Sequence, residues 1–456
     1  MSESLTISFN PQLAAGTYTL PLTGSNSSVG TITDNTNGGN VGTLNQDSPT
    51  FTTTGATSSI TLQVTSGYYT TFGRLSNEMS NIVGFQPSND AANTTWGLGS
   101  NGGNAGLTDI EDLFREINTD LLTGTGNHVY FPNNCPNTIT NMRRAFFQND
   151  NVDIAVSGLS TWQTGNVTSF FQTFRNSRKI AVSLGNWDVT SATTFQSMFL
   201  NMGQTDALDA TQINNWTLPS SSFTMLDFVR DTNMNLDIST NGTKWVMTGC
   251  TNASNMFNGN TTFNQNIGNW DTSNITVMDG MFRNATAFNQ DISSWDVSSV
   301  TDFSNMFNNA PAFNQDIRSW DVSTPGISFN NMFKNATLMI NNYSAPITPT
   351  AAFFTVESLT ISFNPPLAAG TYTLPLTGSN SSVGTIKDNN GSTVGTLNQD
   401  SPTFTITGAT SSITLQVTSG YYTNFNQFNQ QDNSNTNDFR SRISTFVASN
   451  NTANTT

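Results

Sequence analysis

The stretch FNQDISSWDVSSVTDFSNMF at residues 288–307 is one unit of a repeat that fills the middle of the chain. Seven of the eight tryptophans mark successive units, at spacings of 25, 29, 29, 25, 25 and 25 residues. They are Trp162, Trp187, Trp216, Trp245, Trp270, Trp295 and Trp320. A phenylalanine follows each of the first six twelve residues later, and the last thirteen residues later. A single unit of this size cannot bury its own apolar side chains, so we expect neighbouring units to stack around one continuous core.

The first half of the unit has the spacing of a short strand. Ile292, Trp295 and Val297 follow the L-x-x-L-x-L rule of a leucine-rich repeat. Because alternate residues of a strand face opposite sides, Trp295 and Val297 are predicted to point inward and Asp296 outward.

The second half of the unit changes to helical spacing. Its apolar residues are Val300, Phe303, Met306 and Phe307, and Thr301 stands where an N-cap is expected. The unit is therefore predicted to be a strand followed by a short helix.

The phrases Phe-Asn-Gln-Asp-Ile, Trp-Asp-Val-Ser and Asn-Met-Phe between residues 288 and 320 resemble the BspA-like leucine-rich repeat surface proteins. The resemblance covers a little under half of the chain and weakens at Trp216-Thr-Leu and Trp245-Val-Met. It implies a solenoid used for attachment or assembly, without known catalysis. Bacterial members of the family are exported, whereas the residues after Met1 show neither a leader nor a lipidation cysteine. A virion protein would need neither.

The repeats are flanked by a long duplication, in which Glu3–Phe72 recurs almost verbatim as Glu357–Phe425. Each copy consists of short alternating runs rich in Thr, Val and Ile, separated by turn residues. This pattern indicates a small antiparallel β-sandwich. Its edge strands would be exposed and uncharged, which makes them candidates for pairing with another chain.

Together these patterns predict a multidomain fold: a leucine-rich-repeat-type solenoid of short parallel strands and helices, flanked by two near-identical β-sandwich modules. The predicted boundaries are 1–72 for the first module, 73–130 for a polar linker with an amphipathic helix, 131–350 for the solenoid, 351–426 for the second module, and 427–456 for a polar tail with a short helix. The linker helix rests on helical spacing from Leu107 to Leu121, and the tail helix on spacing from Phe439 to Val447.

Composition excludes several functions. With 15 Lys and Arg and a net charge of −15, the chain has too few cations to favour nucleic acid or an anionic membrane surface. No run of 18 apolar residues predicts a membrane span. The single histidine, His128, stands in no catalytic motif, and Cys135 and Cys250 have no zinc-ligand spacing. We therefore expect no enzyme, cofactor or metal. The cysteines are two buried thiols or one disulfide.

The candidate ligand-binding residues are the acids that follow four of the repeat tryptophans, namely Asp188, Asp271, Asp296 and Asp321. On parallel strands the last three would form a ladder with a spacing of about 4.8 Å. Like charges placed opposite one another are destabilising. Solvent screening, raised pKa values, a bound cation such as Ca²⁺, or a sugar that donates hydroxyl groups would relieve the repulsion.

Two further features have a structural and a functional interpretation. The repeated Asn-Gln pairs are predicted to bond backbone groups in tight turns. The N-x-S/T triplets are either glycosylation sites or chance products of the composition; examples are Asn166, Asn252, Asn274, Asn284 and Asn335.

The leading functional hypothesis is a non-enzymatic surface or virion protein. Its solenoid would present a polar face to a host glycan or surface protein, while the twin modules anchor it to itself or to other surface or capsid proteins. The alternative is a purely architectural capsid-cement, filament or sheath subunit with the solenoid as spacer. A polysaccharide-degrading enzyme would require buried paired carboxylates. The expected location is a virion or extracellular surface.

Overall fold

A computed structural model divides the chain into two compact units, Met1–Thr350 and Ala351–Thr456. The structure describes residues 3–74, 82–88, 95–96, 98–101, 104–115, 132, 135–148, 153–154, 157–177, 179–180, 183–202, 213–235, 238, 245–354, 358–374, 376–377, 380–421, 424–425 and 443–448. Each unit is described by itself below.

The first unit begins with nine antiparallel strands that contain the first copy of the duplication. They are β1 (Leu5–Leu13), β2 (Gly16–Thr19), β3 (Leu22–Thr23), β4 (Asn26–Asp34), β5 (Asn40–Thr43), β6 (Thr50–Thr53), β7 (Thr57–Tyr68), β8 (Thr71–Phe72) and β9 (Ile82–Pro87). Seven of them form one sheet in the order β2-β6-β5-β4-β7-β1-β9, and β3 pairs with β8.

The predicted β-sandwich is wrong, because each copy builds one large curled sheet rather than two thin packed sheets. Strand β7 is twelve residues long and pairs with both β1 and β4, which joins the strands into a single sheet. Register shifts in β1 and β4 mark irregularities that let a sheet bend. Alternate residues such as Ile7, Ile32 and Ile60 are fully buried on its inner face.

The second unit repeats this architecture strand for strand. Its strands are β16 (Ser358–Leu367), β17 (Gly370–Thr373), β18 (Leu376–Thr377), β19 (Asn380–Asp388), β20 (Thr393–Thr396), β21 (Thr403–Ile406), β22 (Thr410–Tyr421), β23 (Asn424–Phe425) and β24 (Ile443–Ala448). The sheet order is β17-β21-β20-β19-β22-β16-β24, with β18 paired to β23. The predicted tail helix is wrong, because Ile443–Ala448 forms strand β24 against β16.

Between β9 and the second unit, regular secondary structure is sparse. The strands are β10 (Ser100–Asn101), β11 (Asn104–Ala105), β12 (Asp153–Ile154), β13 (Lys179–Ile180), β14 (Phe223–Thr224) and β15 (Cys250–Asn252). The helices are α1 (Thr337–Tyr343) and short 3-10 helices at Ser157–Thr161 and Met247–Gly249; a further 3-10 helix, Ala351–Phe354, opens the second unit. No helix in the described part of the chain is long and apolar enough to cross a membrane.

The predicted fold class is therefore wrong. The described residues form a mostly antiparallel β protein with almost no helix, and the repeats are not a solenoid of parallel strands and helices. Adjacent repeats are joined by single-residue parallel bridges, such as Val277 to Asp302 and Asp302 to Ser328, and by backbone hydrogen bonds between their turns. Between these bridges the backbone is built from turns.

Residues with a left-handed backbone conformation explain why the helical spacing in each repeat does not produce a helix. In the turn row Phe303–Ala310, the amides of Met306, Asn308 and Ala310 each donate to the carbonyl three residues earlier. Asn305 and Asn309 have φ of 57° and 58°, a conformation that a right-handed helix excludes and that Asn tolerates better than most residues. The intervening amides of Phe303, Asn305, Phe307 and Asn309 donate to the next repeat. The apolar side chains thus recur every four residues along successive β-turns.

The same effect contradicts the predicted linker helix over its described part, residues 107–115. Asp112 has a φ of 60°, and residues 111–115 form turns whose amides at Asp112 and Phe114 donate to Arg143 and Ala145 of the next turn row. Thr108 and Glu111 have the spacing of a helix capping box, but the amide of Glu111 donates to the Asp109 side chain instead. Residues 116–131, including His128, lie outside the described residues.

Aromatic side chains form columns through the stacked repeats. Trp295 lies between Trp270 and Trp320, with ring centroids 6.1 and 6.5 Å away and planes within 4° of parallel. Phe282 is similarly placed between Phe257 and Phe307. At the 29-residue repeats the geometry changes, because Phe199 meets Phe228 edge to face at 76°.

The two ends of the stack are closed differently. At the start, Thr71 of β8 bridges Asp109, so the first module supplies the first partner of the ladder. At the other end, the amide of Phe333 donates to the carbonyl of Ile347. Pro346 and Pro349 flank this last segment, and proline has no amide hydrogen with which to extend a ladder.

Candidate functional site

The four predicted site residues lie on the outside of the stacked repeats. Each is exposed, while the tryptophan before it is buried. Val297, which follows Asp296, is buried as well, so the inward-outward alternation predicted for this segment is present although the segment is no strand. We call these four residues, Asp188, Asp271, Asp296 and Asp321, the acid column.

Each member of the acid column is fixed by a local turn. The Oδ1 atom of Asp296 accepts hydrogen bonds from the amide and hydroxyl of Ser298, at 3.0 and 2.7 Å. Asp188 and Asp271 make the same pair of bonds to Thr190 and Ser273, and Asp321 accepts from the amide of Ser323. A Ser or Thr two residues after the acid is therefore part of the site.

For Asp271 and Asp296, these hydrogen bonds favour the charged form of the carboxylate. Hydrogen bonds from Ser273 lower the pKa of Asp271, and those from Ser298 lower the pKa of Asp296. Repulsion from Asp271 raises the pKa of Asp296, but it is the smallest contribution. The suggestion that raised pKa values relieve the repulsion is wrong for these two residues.

Threonines that lie close to the acid column in the sequence form a second column. The hydroxyls of Thr168, Thr193, Thr276 and Thr301 each donate to the carbonyl of the residue one repeat earlier, at 3.0–3.1 Å. All four side chains are exposed. Sequence reasoning missed this column, although Thr recurs at these positions with the period of the repeat.

Arginines on the first repeats form a third polar cluster that the sequence did not reveal. Arg144 lies 2.8 Å from Glu111 and 2.7 Å from Asp112, and Arg143 also pairs with Glu111. The Arg143 guanidinium stands 4.6 Å from the ring centre of Phe171. The partners come from neighbouring repeats about 30 residues apart, which is why no local motif announces them.

Asp227 and Asp279 are partly buried carboxyls, and paired buried carboxyls are what a polysaccharide-degrading enzyme would require. Burial raises the pKa of both Asp227 and Asp279. Asp227 bonds Arg230 at 3.2 Å, and Asp279 accepts from Asn305 at 3.4 Å. Each carboxyl thus has its own hydrogen-bond partner, and repulsion from Asp302 and Asp227 also raises the pKa of Asp279.

The remaining sequence candidates have structural surroundings. Cys135 and Cys250 are free, buried thiols, and burial raises the pKa of both, that of Cys250 to about 12. Within the described ranges, no group of three or more His, Cys, Asp or Glu is placed to hold a metal.

The Asn-Gln pairs bond one another from repeat to repeat. Gln290 and Gln315 donate to Asn264 and Asn289, at 2.8–3.0 Å. Two N-x-S/T asparagines belong to a similar ladder, since Asn284 donates to Asn258 and Asn335 donates to Asn309.

In the comparison with known proteins, all the matching residues lie in the repeats. Residues 133–241 and 223–345 match the family described as "Mycoplasma protein of unknown function, DUF285". No curated protein and no solved structure matches the chain. The match covers the stacked repeats and neither of the duplicated modules.

Proposed function

We propose that this chain is a non-enzymatic surface structural protein. Its stacked repeats present a polar face for adhesion to a glycan or protein, and its twin modules serve as anchoring units. We also propose that its repeats are of the BspA-like kind and that it acts at a virion or extracellular surface. The repeat phrases at residues 288–320 and the match to a Mycoplasma family support this assignment.

The observation that carries the proposal is the acid column on an aromatic core. Buried, stacked indoles fix the backbone on the inside, and local Ser or Thr bonds fix each carboxylate on the outside. Both bonds to Asp296 end on Oδ1, which leaves Oδ2 to accept from a ligand hydroxyl. The Oδ2 atom of Asp271 already accepts from the hydroxyl of Thr248, so the acceptors are not identical, but carboxylates that recur from repeat to repeat suit a ligand with a repeating structure, such as a glycan chain.

The test replaces the consecutive acids of the full chain with Asp271→Asn, Asp296→Asn and Asp321→Asn. The amide oxygen can still accept the turn bonds, so the backbone should be retained while the charge is lost. Binding to a glycan array and to host cells should fall at least about tenfold, because charge-assisted hydrogen bonds are the stronger ones.

A charge-matched control carries Asp47→Asn, Asp231→Asn and Asp400→Asn, which lie outside the acid column. This variant should bind as the natural chain does. Equal loss in both variants would indicate a net-charge effect and contradict a role for the acid column. Failure of the natural chain to bind any glycan or cell would contradict adhesion.

The architectural alternative is favoured by one specific observation. Each seven-stranded sheet is open, with β2 and β9, or β17 and β24, as its outermost strands. Open edges are sites at which chains pair with one another. Self-assembly of the full chain in sedimentation and electron microscopy, together with absence of glycan and cell binding, would support a capsid-cement, filament or sheath subunit.

A further inference from the structure

One hairpin loop is the place where the two copies of the duplication differ in length. It joins β4 to β5 through residues 35–39 in the first copy, and β19 to β20 through residues 389–392 in the second. Each loop contains an Asn-Gly pair, Asn37-Gly38 or Asn390-Gly391. Both glycines have a positive φ, of 77° and 81°, and apart from their chain neighbours no atom lies within 4 Å of where a Cβ would stand. The two glycines thus have equivalent surroundings.

The side-chain amide of Asn37 is held by a buried acid and by the start of β7. Its Nδ2 atom donates to Oδ2 of Asp34 at 2.9 Å, and also to the carbonyl of Ala56 and the hydroxyl of Thr57, at 3.2 and 3.4 Å. Asp34 is only 1% exposed, and its Oδ1 atom accepts from the backbone amide of Asn37. The side chain of Asn37 therefore turns toward the amide of Gly38 only when these bonds open.

The side-chain amide of Asn390 lacks these partners. Its Oδ1 atom accepts from Asn389 of the same loop at 3.1 Å, and its Nδ2 atom donates to no acceptor among the residues that the structure describes. The equivalent acid, Asp388, is only partly buried, and it accepts from the backbone amides of Asn390 and Ser392. The amide of Ser411 in β22 donates to Asn389 rather than to Asn390. The side chain of Asn390 is thus held only within its own exposed loop.

A third Asn-Gly pair, Asn258-Gly259, is fixed within the stacked repeats. Asn258 is 4% exposed; its side chain donates to Asn255 and accepts from Asn284. The amide of Gly259 donates to the carbonyl of Arg283. Of the pairs whose residues are all described, Asn390-Gly391 alone combines exposure with a side-chain amide that can turn without breaking bonds to a strand.

We propose that Asn390-Gly391 is a site of spontaneous deamidation and that Asn37-Gly38 is protected from this reaction. The deprotonated backbone nitrogen of Gly391 attacks Cγ of Asn390, the bond from Cγ to Nδ2 breaks, and ammonia leaves. Water then opens the succinimide ring at either of its carbonyls, which yields aspartate or isoaspartate. The reaction consumes water, releases ammonia and needs no oxidant. Glycine favours the attack, because it has no side chain to obstruct the nitrogen and its backbone is permissive.

The attacking nitrogens start from the same state in both copies. The amide of Gly391 donates to the carbonyl of Asp388 at 3.0 Å, and that of Gly38 donates to the carbonyl of Asp34 at the same distance. This backbone bond must open in either loop. The expected difference in rate therefore comes from the side-chain bonds of Asn37.

Deamidation would make the twin modules chemically different. Either product adds a negative charge to the loop of the second module, and isoaspartate also lengthens the main chain there. Because loop length helps to fix the register of a hairpin, the isoaspartate form should disturb the pairing of Lys387 with Thr393. This chemistry is independent of ligand binding by the repeats.

The test incubates the full chain at pH 8 and follows both loops by peptide mass spectrometry, with isoaspartate detected by enzymatic methyl transfer. Asn390 should be deamidated at least about tenfold faster than Asn37, because the additional hydrogen bonds of Asn37 must open first. In urea the two residues should react at similar rates, since both are then in an open chain. Asn390→Gln should remove the fast reaction.

Exchange of the loops tests the cause. A full chain in which residues 389–392 are replaced by the sequence of residues 35–39 should lose the fast reaction, because Ala409 and Thr410 stand where Ala56 and Thr57 stand in the first copy. The reverse replacement should create a fast reaction in the first module.

Three results would overturn the proposal. One is an equal rate at Asn37 and Asn390 in the folded chain. Another is a fast reaction in the second module that persists after it receives the loop of the first. The last is the same difference in rate in urea as in the folded chain, which would assign the difference to local sequence rather than to the hydrogen bonds.

Discussion

The contribution of an indole hydrogen bond to the free energy of unfolding can be measured with a matched pair of substitutions in the tryptophan column, Trp320→Phe and Trp270→Phe. Both indoles are buried, and both stack on Trp295, from opposite sides. Each also has a phenylalanine ring beside it, Phe303 or Phe257. Their apolar surroundings are therefore alike.

The two sites differ in hydrogen bonding. The Nε1 atom of Trp320 donates to the carbonyl of Ile292 at 3.1 Å. That of Trp270 is buried with no acceptor among the residues that the structure describes. Phenylalanine at 320 removes one of the two donors to the Ile292 carbonyl, which still accepts from the amide of Trp295, whereas phenylalanine at 270 removes an unpaired buried N–H. Since a hydrogen bond contributes about 1 kcal/mol net and an unpaired buried N–H costs about 1–3 kcal/mol, Trp320→Phe should destabilise the protein by about 2 kcal/mol more than Trp270→Phe.

The assay is equilibrium unfolding in urea followed by far-ultraviolet circular dichroism. Because the chain has two compact units, the comparison uses the transition that both substitutions shift, and it requires equal slopes in the two variants. Equal losses of stability, or a larger loss for Trp270→Phe, would refute the assigned role of the indole N–H.

Three further outcomes follow from the repeats. Asn309→Ala should cost about 2–3 kcal/mol in urea unfolding, because alanine is strained in the left-handed region and loses the bonds to Asn284 and Asn335; Asn309→Gly should cost less, and equal costs would contradict the backbone argument. Carboxyl NMR titration should place the pKa of Asp296 below 3.8, and Ser298→Ala should raise it; because the folded pKa is lowered, this stabilisation exists above the unfolded pKa and is lost as pH falls through the folded value. A Ser298→Ala variant with unchanged pKa would contradict this cause. Both cysteine thiols should resist Ellman's reagent in the native protein at pH 8 and react after unfolding, and rapid native reaction would contradict their burial.

The sequence was sufficient to predict which side chains form the core of the repeats. Trp295 and Phe307 are buried and stack on their counterparts one repeat away, as their spacing indicates. The backbone beneath them was not predictable from apolar spacing, because a recurrence every three or four residues fits both a helix and successive β-turns. The distinguishing signal was Asn at 305 and 309, which tolerates positive φ.

For the modules, the sequence left a different feature of the fold unpredicted, namely how the strands pair. Alternation predicted most strands, but it does not say whether they form one sheet or two, since that depends on pairings between distant strands such as β1 with β7. The tail stripe of Ile443, Phe446 and Val447 fits a helix, yet β16 offers an edge that the strand β24 occupies. Comparison with Ile82 and Phe85 in the first copy would have identified the strand.

Among the site residues, the exposed position of the acid column followed from alternation, whereas its Ser and Thr partners and the arginine cluster did not. The arginine cluster joins residues from different repeats, such as Arg144 and Glu111, and no local motif encodes such contacts. The threonine column was hidden for another reason: its bonds run from a side chain to the backbone of a neighbouring repeat.

The way the repeats are joined also determines how the protein would respond to tension. Each turn row donates its inter-repeat backbone bonds to the following row, so a pull on the two ends of the array loads these junctions in series. The repeat at one extremity would peel away before the interior ones. Every detached 25-residue repeat would add up to about 85 Å of extended chain. Under load the molecule would therefore lengthen stepwise and dissipate mechanical work, a useful property wherever two surfaces are held together against shear.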